Sequence, residues 1–342
     1  MNQLLKEFTG ALKGDFFLRK DLERIIRKCK VGFVIDNIQM YDLAMASIRT
    51  RCYDIIGYLN KNGIMAELRK PYKNYDVIVI TKACSDTTVK LARKYYLSGT
   101  KIIYDAYFEN LLDDRKISEE KKKMRENVLT IISLSSAVIT CSERQRQQFA
   151  MYHKNVYVIG EAIENNVLRN KKVHFEKESI TLVYCGYSQK ARDLLEIKEV
   201  INRMYNRGND LLIISNKDPE LKEIDYEFMK YDQKKIGMQL CKGDVFIAPR
   251  SMDDIDKSDH SIMKIALPMA VGIPVVASPV PSYQNTPAIL CSSEEEWNTK
   301  LQELTNKTEI REDIGEEGRA FIKMNYTLSV IGSSYKKIIC QV

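Results

Sequence analysis

Residues 244–282 read DVFIAPRSMDDIDKSDHSIMKIALPMAVGIPVVASPVPS. Val245–Ala248 is a short apolar run closed by Pro249, which predicts a strand buried in a parallel sheet. A polar, acidic loop follows, from Arg250 to Asp259. Ile262, Ile265, Leu267, Met269 and Ala270 then predict a largely apolar helix, ended by Gly272 and kept from resuming by Pro274. Pro268 removes a helical hydrogen bond at a cost of about 3 kcal/mol, so a kink is expected, tolerable if the helix begins only a turn or two earlier. PVVAS, residues 274–278, is the next strand. The whole is a βαβ unit, and in such sheets the loops at the carboxyl ends of the strands hold ligands.

The same alternation extends outward. VGFVI (31–35), AELRK (66–70), DVIVITK (76–82) and KIIYD (101–105) predict strands, with helices from about Leu43 to Asn60 and over TTVKLARKYYLSG (87–99) between them. TIISLSSAVITCS (130–142) supplies a helix and a strand. In the second half, the strand of ITLVYCG (180–186) feeds a helix, LLIIS (211–215) is a strand, and Asp232–Lys242 predicts a helix. AILCSSEEEW (288–297) adds a strand and a Ser-x-x-Glu cap that starts at Ser292 or Ser293. Helices follow to about Lys323, and Tyr326–Val342 is apolar on one face. Residues 2–30 place Leu4, Leu5, Phe8, Leu12, Leu18, Leu22, Ile25 and Ile26 at helical spacing opposite a basic face. Such a segment either packs on the body of the protein or lies on anionic lipid.

Length and composition set bounds. A chain of 342 residues favours two domains of roughly 150 residues. The net charge of +7 is too small to argue for nucleic acid, and no helix-turn-helix, zinc site or aromatic–basic array occurs, so no nucleic-acid partner is expected. The eight cysteines are scattered without a C-x-x-C pair and read as reduced core thiols of a cytoplasmic protein. His153, His174 and His260 are not spaced as metal ligands, so no metal is expected. Charges interrupt the amino terminus and no apolar run reaches the ~20 residues of a membrane span, so neither a signal peptide nor a crossing is expected. RKISEEKKKMR (115–125) is a charge cluster, either a solvated helix face or a basic patch for an anionic leaflet.

The segment MKIALPMAVGIPVVASPV (263–280) resembles the nucleotide-sugar-binding segment of GT-B glycosyltransferases, the large retaining family that builds bacterial surface polysaccharides. That family's K-x-x-E-x-M-A-x-G-x-P-V-V-A-S pattern is matched at Lys264, Met269, Ala270, Gly272, Pro274, Val275, Val276, Ala277 and Ser278. AVITCSERQRQQF (137–149) and VYVIGEAIENN (156–166) are similar to the family's segments leading into the second domain. The resemblance implies an α/β GT-B fold, two Rossmann-like doubly wound domains facing across a cleft. Residues 1–165 would bind the acceptor, residues 166–325 the nucleotide sugar, and the tail 326–342 would return to the first domain. The implied activity is transfer of a sugar from a nucleoside diphosphate sugar to a saccharide or lipid-linked acceptor, retaining and metal-independent, in cell-surface polysaccharide or glycolipid synthesis. No permanent cofactor is implied. Contact with the inner face of the membrane would be peripheral.

Site residues follow residue by residue. Gly186, Lys190, Arg250, Lys264 and Gly272 would form the donor site, because a diphosphate leaving group needs cations and helix N-termini. Asp259 and Lys264 would be the catalytic pair. Asp259 stands where many members carry a first glutamate, and it is equally a good helix N-cap. The second glutamate, which meets the ribose, is replaced here by Leu267, which cannot accept a hydrogen bond. Asp36, Arg49, Lys82 and Asp105 lie at or near the strand exits that would face the acceptor. Arg51 stands two residues from Arg49, and two such side chains on a helix point apart, so at most one would face the cleft. Leu267 also keeps open a non-catalytic relative that binds a saccharide or a protein partner. A sugar-nucleotide epimerase of the same fold is the third reading, with few histidines and carboxylates to support it.

Overall fold

Short apolar strands alternate with amphipathic helices because the central strands of each sheet are covered on both faces, which leaves them no solvated side to be polar. In the computed structural model, residues 29–36, 46–107, 118–251 and 261–342 are described. The helical segment expected before residue 29, the start of the first crossover helix at Leu43, the first three residues of the charge cluster (115–117) and Asp259 lie outside them.

The first sheet comprises β1 (Lys30–Val34), β2 (Met65–Leu68), β3 (Val77–Thr81), β4 (Lys101–Asp105), β5 (Ala137–Thr140) and β6 (Val156–Val158). Its order is β2-β1-β3-β4-β5-β6, and every pairing is parallel. The second comprises β7 (Thr181–Cys185), β8 (Asp210–Ser215), β9 (Glu227–Lys230), β10 (Val245–Ala248), β11 (Val275–Ala277) and β12 (Ile289–Leu290). It runs β12-β11-β10-β7-β8-β9, again parallel throughout. Each order reverses once, between β1 and β3 and between β7 and β10. Such switch points open a crevice at the carboxyl ends of the strands.

Alternate residues of each strand feed separate cores. Val31, Phe33, Val77, Val79 and Ile103 pack with Ile48, Cys52, Ile55 and Leu59, whereas Ile78, Ile80, Ile102 and Tyr104 pack with Val89, Ala92, Val128 and Ile131. In the second sheet Val183, Phe246 and Val275 face Ile265 and Met269, while Leu182, Val245 and Val276 face Leu194, Val200 and Trp297. Each such side chain contributes about 1.5–3 kcal/mol on burial.

Four helices position the functional residues. Helix α1 runs as Ala46–Ile48, a π-helical turn Arg49–Tyr53, and Asp54–Lys61. Helix α2 is Asp86–Leu97, α3 is Glu119–Leu134, and α4, Met263–Ala270, follows β10. Pro268 lies inside α4 but only in its second turn, where the carbonyl it leaves unpaired is among the earliest of the helix. Gly272 ends α4 at φ +83°, and its carbonyl packs so closely on Gly315 that a Cβ there would stand 2.3 Å away. Ser293, not Ser292, is the cap of the helix after β12, in a capping box with Glu296. The helix expected over Asp232–Lys242 shrinks to Ile236–Leu240, preceded by strand β9. The last helix, α5 (Leu328–Gln341), lays Ile331, Tyr335, Ile338 and Ile339 into the core of the first sheet.

A buried polar knot pins that helix. Arg51 donates to Asp105 Oδ1 at 2.6 Å and to Oδ2 at 2.9 Å, and its Nη1 donates to the Ile159 carbonyl at 3.0 Å. Tyr335 completes the set, its hydroxyl donating to Asp105 Oδ2 at 2.8 Å. Removing one partner strands the other charge in the core. Arg51→Met should therefore lower unfolding free energy by about 3–5 kcal/mol in urea titrations, and adding Asp105→Asn should recover part of that loss. A single variant with unchanged stability would show that the pair is not holding the fold.

Candidate functional site

A cavity of about 320 Å³ opens at the switch between β7 and β10, lined in part by Cys185, Gly186, Lys190, Arg250, Lys264 and Leu267. Tyr107 from the first sheet and Ser261 at the head of α4 join this lining, so both halves of the chain build the wall. The topology explains the convergence. Gly186 is the residue after β7, Arg250 follows β10 by two, and α4 leaves the β10 loop with Lys264 on its first turn.

Lys264 keeps some exposure to the cavity, while its ammonium folds back against the protein. Nζ lies 3.5 Å from the centre of the Tyr184 ring and donates to the Cys185 carbonyl at 3.2 Å. Burial, and then repulsion from the Arg250 guanidinium, hold its pKa well below the ordinary lysine value. Gly186 gives this amine its room, since a Cβ there would stand 3.2 Å from Nζ and 3.0 Å from the Tyr184 hydroxyl.

Arg250 is buried and pairs with Asp193. Its backbone is fixed as well, Arg250 N donating to Ser278 Oγ at 2.9 Å. Its Nε is buried with no hydrogen-bond partner among the described residues, a donor left for a ligand. Lys190 is exposed at the rim. The segment that carries it, Ser188–Ile197, is a 3-10 helix rather than the α-helix expected after Gly186. Tyr184 and Asp193 fasten it at both ends, Tyr184 by donating to the Lys190 carbonyl at 2.7 Å. One amide at its start is already taken, Ser188 N donating to Asn216 Oδ1 at 2.9 Å. Anion binding here therefore falls mainly to side chains.

The other expected residues are placed differently. Gly272 caps α4 and does not line the cavity, so a ligand role for it is not what the geometry offers. Asp36 accepts from Cys84 N at 2.7 Å, Ser85 N and Ser85 Oγ at 2.8 Å, and the Thr88 hydroxyl, so the carboxylate caps α2. Asp105 is wholly buried against Arg51 and Tyr335 and cannot reach an acceptor. Arg49 pairs with Glu164 at 2.8 Å, away from the cavity lining. Arg49 and Arg51, both on the π-helical turn, are both buried but go to different partners, Glu164 and Asp105, and neither lines the cavity. Lys82 does reach the cleft side. It has a left-handed backbone at φ +49° and holds its ammonium 4.9 Å from the Tyr107 ring, with the Arg51 guanidinium at 5.3 Å. Leu267 faces the cavity as an apolar wall beside Met263.

Sequence reasoning passed over Tyr107, Tyr187 and Tyr231, which also line the cavity. Each follows a strand end within two residues, and that position was the available signal.

Neither a protein-family model nor a curated protein matches the sequence. Solved structures share its fold. HepE from Anabaena, solved in complex with UDP and glucose, has 11% identity and a TM-score of 0.64, covering 92% of this chain and 100% of that one. The sucrose-phosphate synthase of Thermosynechococcus elongatus has 12% identity and a TM-score of 0.64, with 92% of this chain and 99% of that one covered. A TarM variant of S. aureus, in complex with fondaparinux, alpha-GlcNAc-glycerol and UDP, has 14% identity and a TM-score of 0.54, over 83% of this chain and 58% of that one. The chain thus has the GT-B fold, with two parallel six-stranded sheets and their helices.

A depressed lysine beside an anion site links binding to protonation. A diphosphate bound beside it would favour the charged amine, so binding should take up a proton and affinity should weaken as pH rises above the lowered Lys264 pKa. Calorimetry with inorganic pyrophosphate in buffers of different ionisation enthalpy should register that uptake in the native chain and lose it in Lys264→Met. Equal proton uptake by both would place the titrating group elsewhere.

Proposed function

We propose that the chain is a glycosyltransferase that takes a sugar from a nucleoside diphosphate sugar and passes it to a saccharide or lipid-linked acceptor. The observation that carries this reading is the meeting of Lys264, Arg250 and Lys190 around Gly186 in one cavity at the β7–β10 switch. When the sugar leaves, two phosphates must accept the developing charge. Lys264 and Arg250 meet it from the floor and Lys190 from the rim, in a site partly shielded from water. The transfer would be retaining and metal-independent, with these three cations steadying the leaving diphosphate. The UDP complexes of structures with this fold support the choice of donor class.

The base would lie toward Tyr187, Tyr231 and Asn216. Asn216 Oδ1 is engaged by Ser188 N at 2.9 Å and the Ser215 hydroxyl at 3.2 Å, which turns its amide NH₂ to the ligand as a donor. Leu267 supplies apolar contact where a ribose carboxylate is expected, so ribose hydroxyls must find partners elsewhere. Residues 1–165 with the tail 326–342 would serve the acceptor, and residues 166–325 the donor. Lys121, Lys122 and Lys123 are exposed at the start of α3, although Lys122 meets Glu119 at 2.6 Å and Lys123 meets Asp86 at 3.5 Å. They form the surface for peripheral contact with an anionic leaflet during polysaccharide or glycolipid synthesis.

The Leu267 wall is the one feature that favours a second reading, a binder without turnover. One experiment separates the two. UDP-, GDP-, dTDP- and CMP-sugars are screened for melting shifts, then the best is tested for nucleoside diphosphate release with a lipid-linked acceptor. A shift with release is expected. A shift without release leaves a binder without turnover, and no shift with any donor removes the transferase and leaves a relative that binds a saccharide or a protein partner. Lys264→Ala should abolish the shift while leaving the unliganded melting temperature nearly unchanged, because burial opposes the charge of this amine and leaves it little net stability to contribute.

A further inference from the structure

Tyr107, Ser261 and Glu161 form a hydrogen-bonded series that runs from the cavity wall into the protein. Tyr107 stands two residues past β4, and its hydroxyl donates to Ser261 Oγ at 3.4 Å. Ser261, which opens α4, donates in turn to Glu161 Oε2 at 3.2 Å. Glu161 lies in the link between the two sheets and is 5% exposed. The three residues come from the first sheet, the second unit and the link, so the series exists only where those parts meet.

We propose that this series is a proton relay, with Glu161 the terminal acceptor of the proton that the incoming hydroxyl loses during sugar transfer. This rests on the glycosyl-transfer reading. The acceptor oxygen bonds to the anomeric carbon as the bond from that carbon to the diphosphate breaks, and the diphosphate departs with the electron pair. The acceptor's proton passes to Tyr107 Oη, the Tyr107 proton to Ser261 Oγ, and the Ser261 proton to Glu161. Charge balances, because the diphosphate gains one negative charge as the Glu161 carboxylate loses one. Glu161 is a positioning and proton-holding residue, acting through Ser261 and Tyr107.

Two observations favour this over a plain tie between the sheets. Asp105, close by, is compensated by a forked guanidinium and by Tyr335, whereas among the described residues Glu161 is met by one hydroxyl. A carboxylate so held is costly to keep charged and ready to take a proton. Burial accordingly raises its pKa above the usual carboxylate range. The groups facing it are Arg51 and Lys82, which favour the anion, and Asp105 and Tyr335, which oppose it. The Ser261–Glu161 bond is long for an O–H···O contact, as catalytic hydrogen bonds often are before substrate closes the site.

The test uses the full chain with its best donor sugar and acceptor. Glu161→Gln keeps an oxygen for Ser261 but cannot take the proton. Its kcat should fall about 100-fold, with donor KM and the donor-induced melting shift kept. The wild-type rate falls as pH drops through the raised Glu161 pKa, and this acid limb should vanish in the variant. Ser261→Ala should match it and Ser261→Thr should regain activity, a pair that carries the test alone if Glu161→Gln does not fold. A Glu161→Gln enzyme that keeps the wild-type acid limb, or loses donor binding instead of turnover, overturns the relay. Failure of the wild type to release nucleoside diphosphate from any sugar nucleotide overturns the transferase reading first, and the relay with it.

Discussion

The ion pair between Arg51 and Asp105 joins parts of the chain that are far apart in sequence. It sets a π-helical turn against the end of β4, takes the Ile159 carbonyl from the link, and receives Tyr335 from the last helix. Two charges out of water cost several kcal/mol each, and only near-complete compensation makes that tolerable. Here the fork of the guanidinium and the phenol supply it. Tyr107 stands over the same guanidinium, so the front wall of the cavity inherits its position from this pair.

The rear wall solves a different problem. A site for diphosphate must hold cations near one another before the ligand arrives, and like charges in a dry place repel. The two buried cations meet this in two ways. Arg250 is neutralised by Asp193, while Lys264 sits on a ring face and a carbonyl with its proton loosely held. On the proposed reading, a bound diphosphate would complete the charge of one and engage the orphaned donor of the other.

Strand and helix periodicity made the fold legible, because sheets covered on both faces leave uninterrupted apolar runs such as DVIVIT and DVFIA. Gly186, Lys190, Arg250 and Lys264, singled out through the resemblance, gather at one cavity for a related reason. Each lies just beyond a strand end or on the helix that returns from one, and parallel topology sends such positions to one edge. Asp36 and Asp105 occupied equivalent places and were misjudged. Their partners, Thr88 in one case and Arg51 and Tyr335 in the other, lie up to 230 residues away, and nothing in local spacing announces them. The π-helical turn was invisible for the same reason, since the carboxylates that meet Arg49 and Arg51, Glu164 and Asp105, are distant in sequence. Asp259 lies outside the described residues, and its two readings stand as the sequence left them.

The placement of α5 sets an order of events at birth. A ribosome releases Leu328–Gln341 after every strand of both sheets, yet Ile331, Tyr335, Ile338 and Ile339 complete the core of the earlier one. Until that helix emerges, the nascent first sheet lacks these four side chains, and the Asp105 carboxylate lacks the Tyr335 hydroxyl. Maturation of the older portion thus waits on a segment made long after it, and a chain that stopped short of α5 would leave the ribosome with its first-made sheet unfinished.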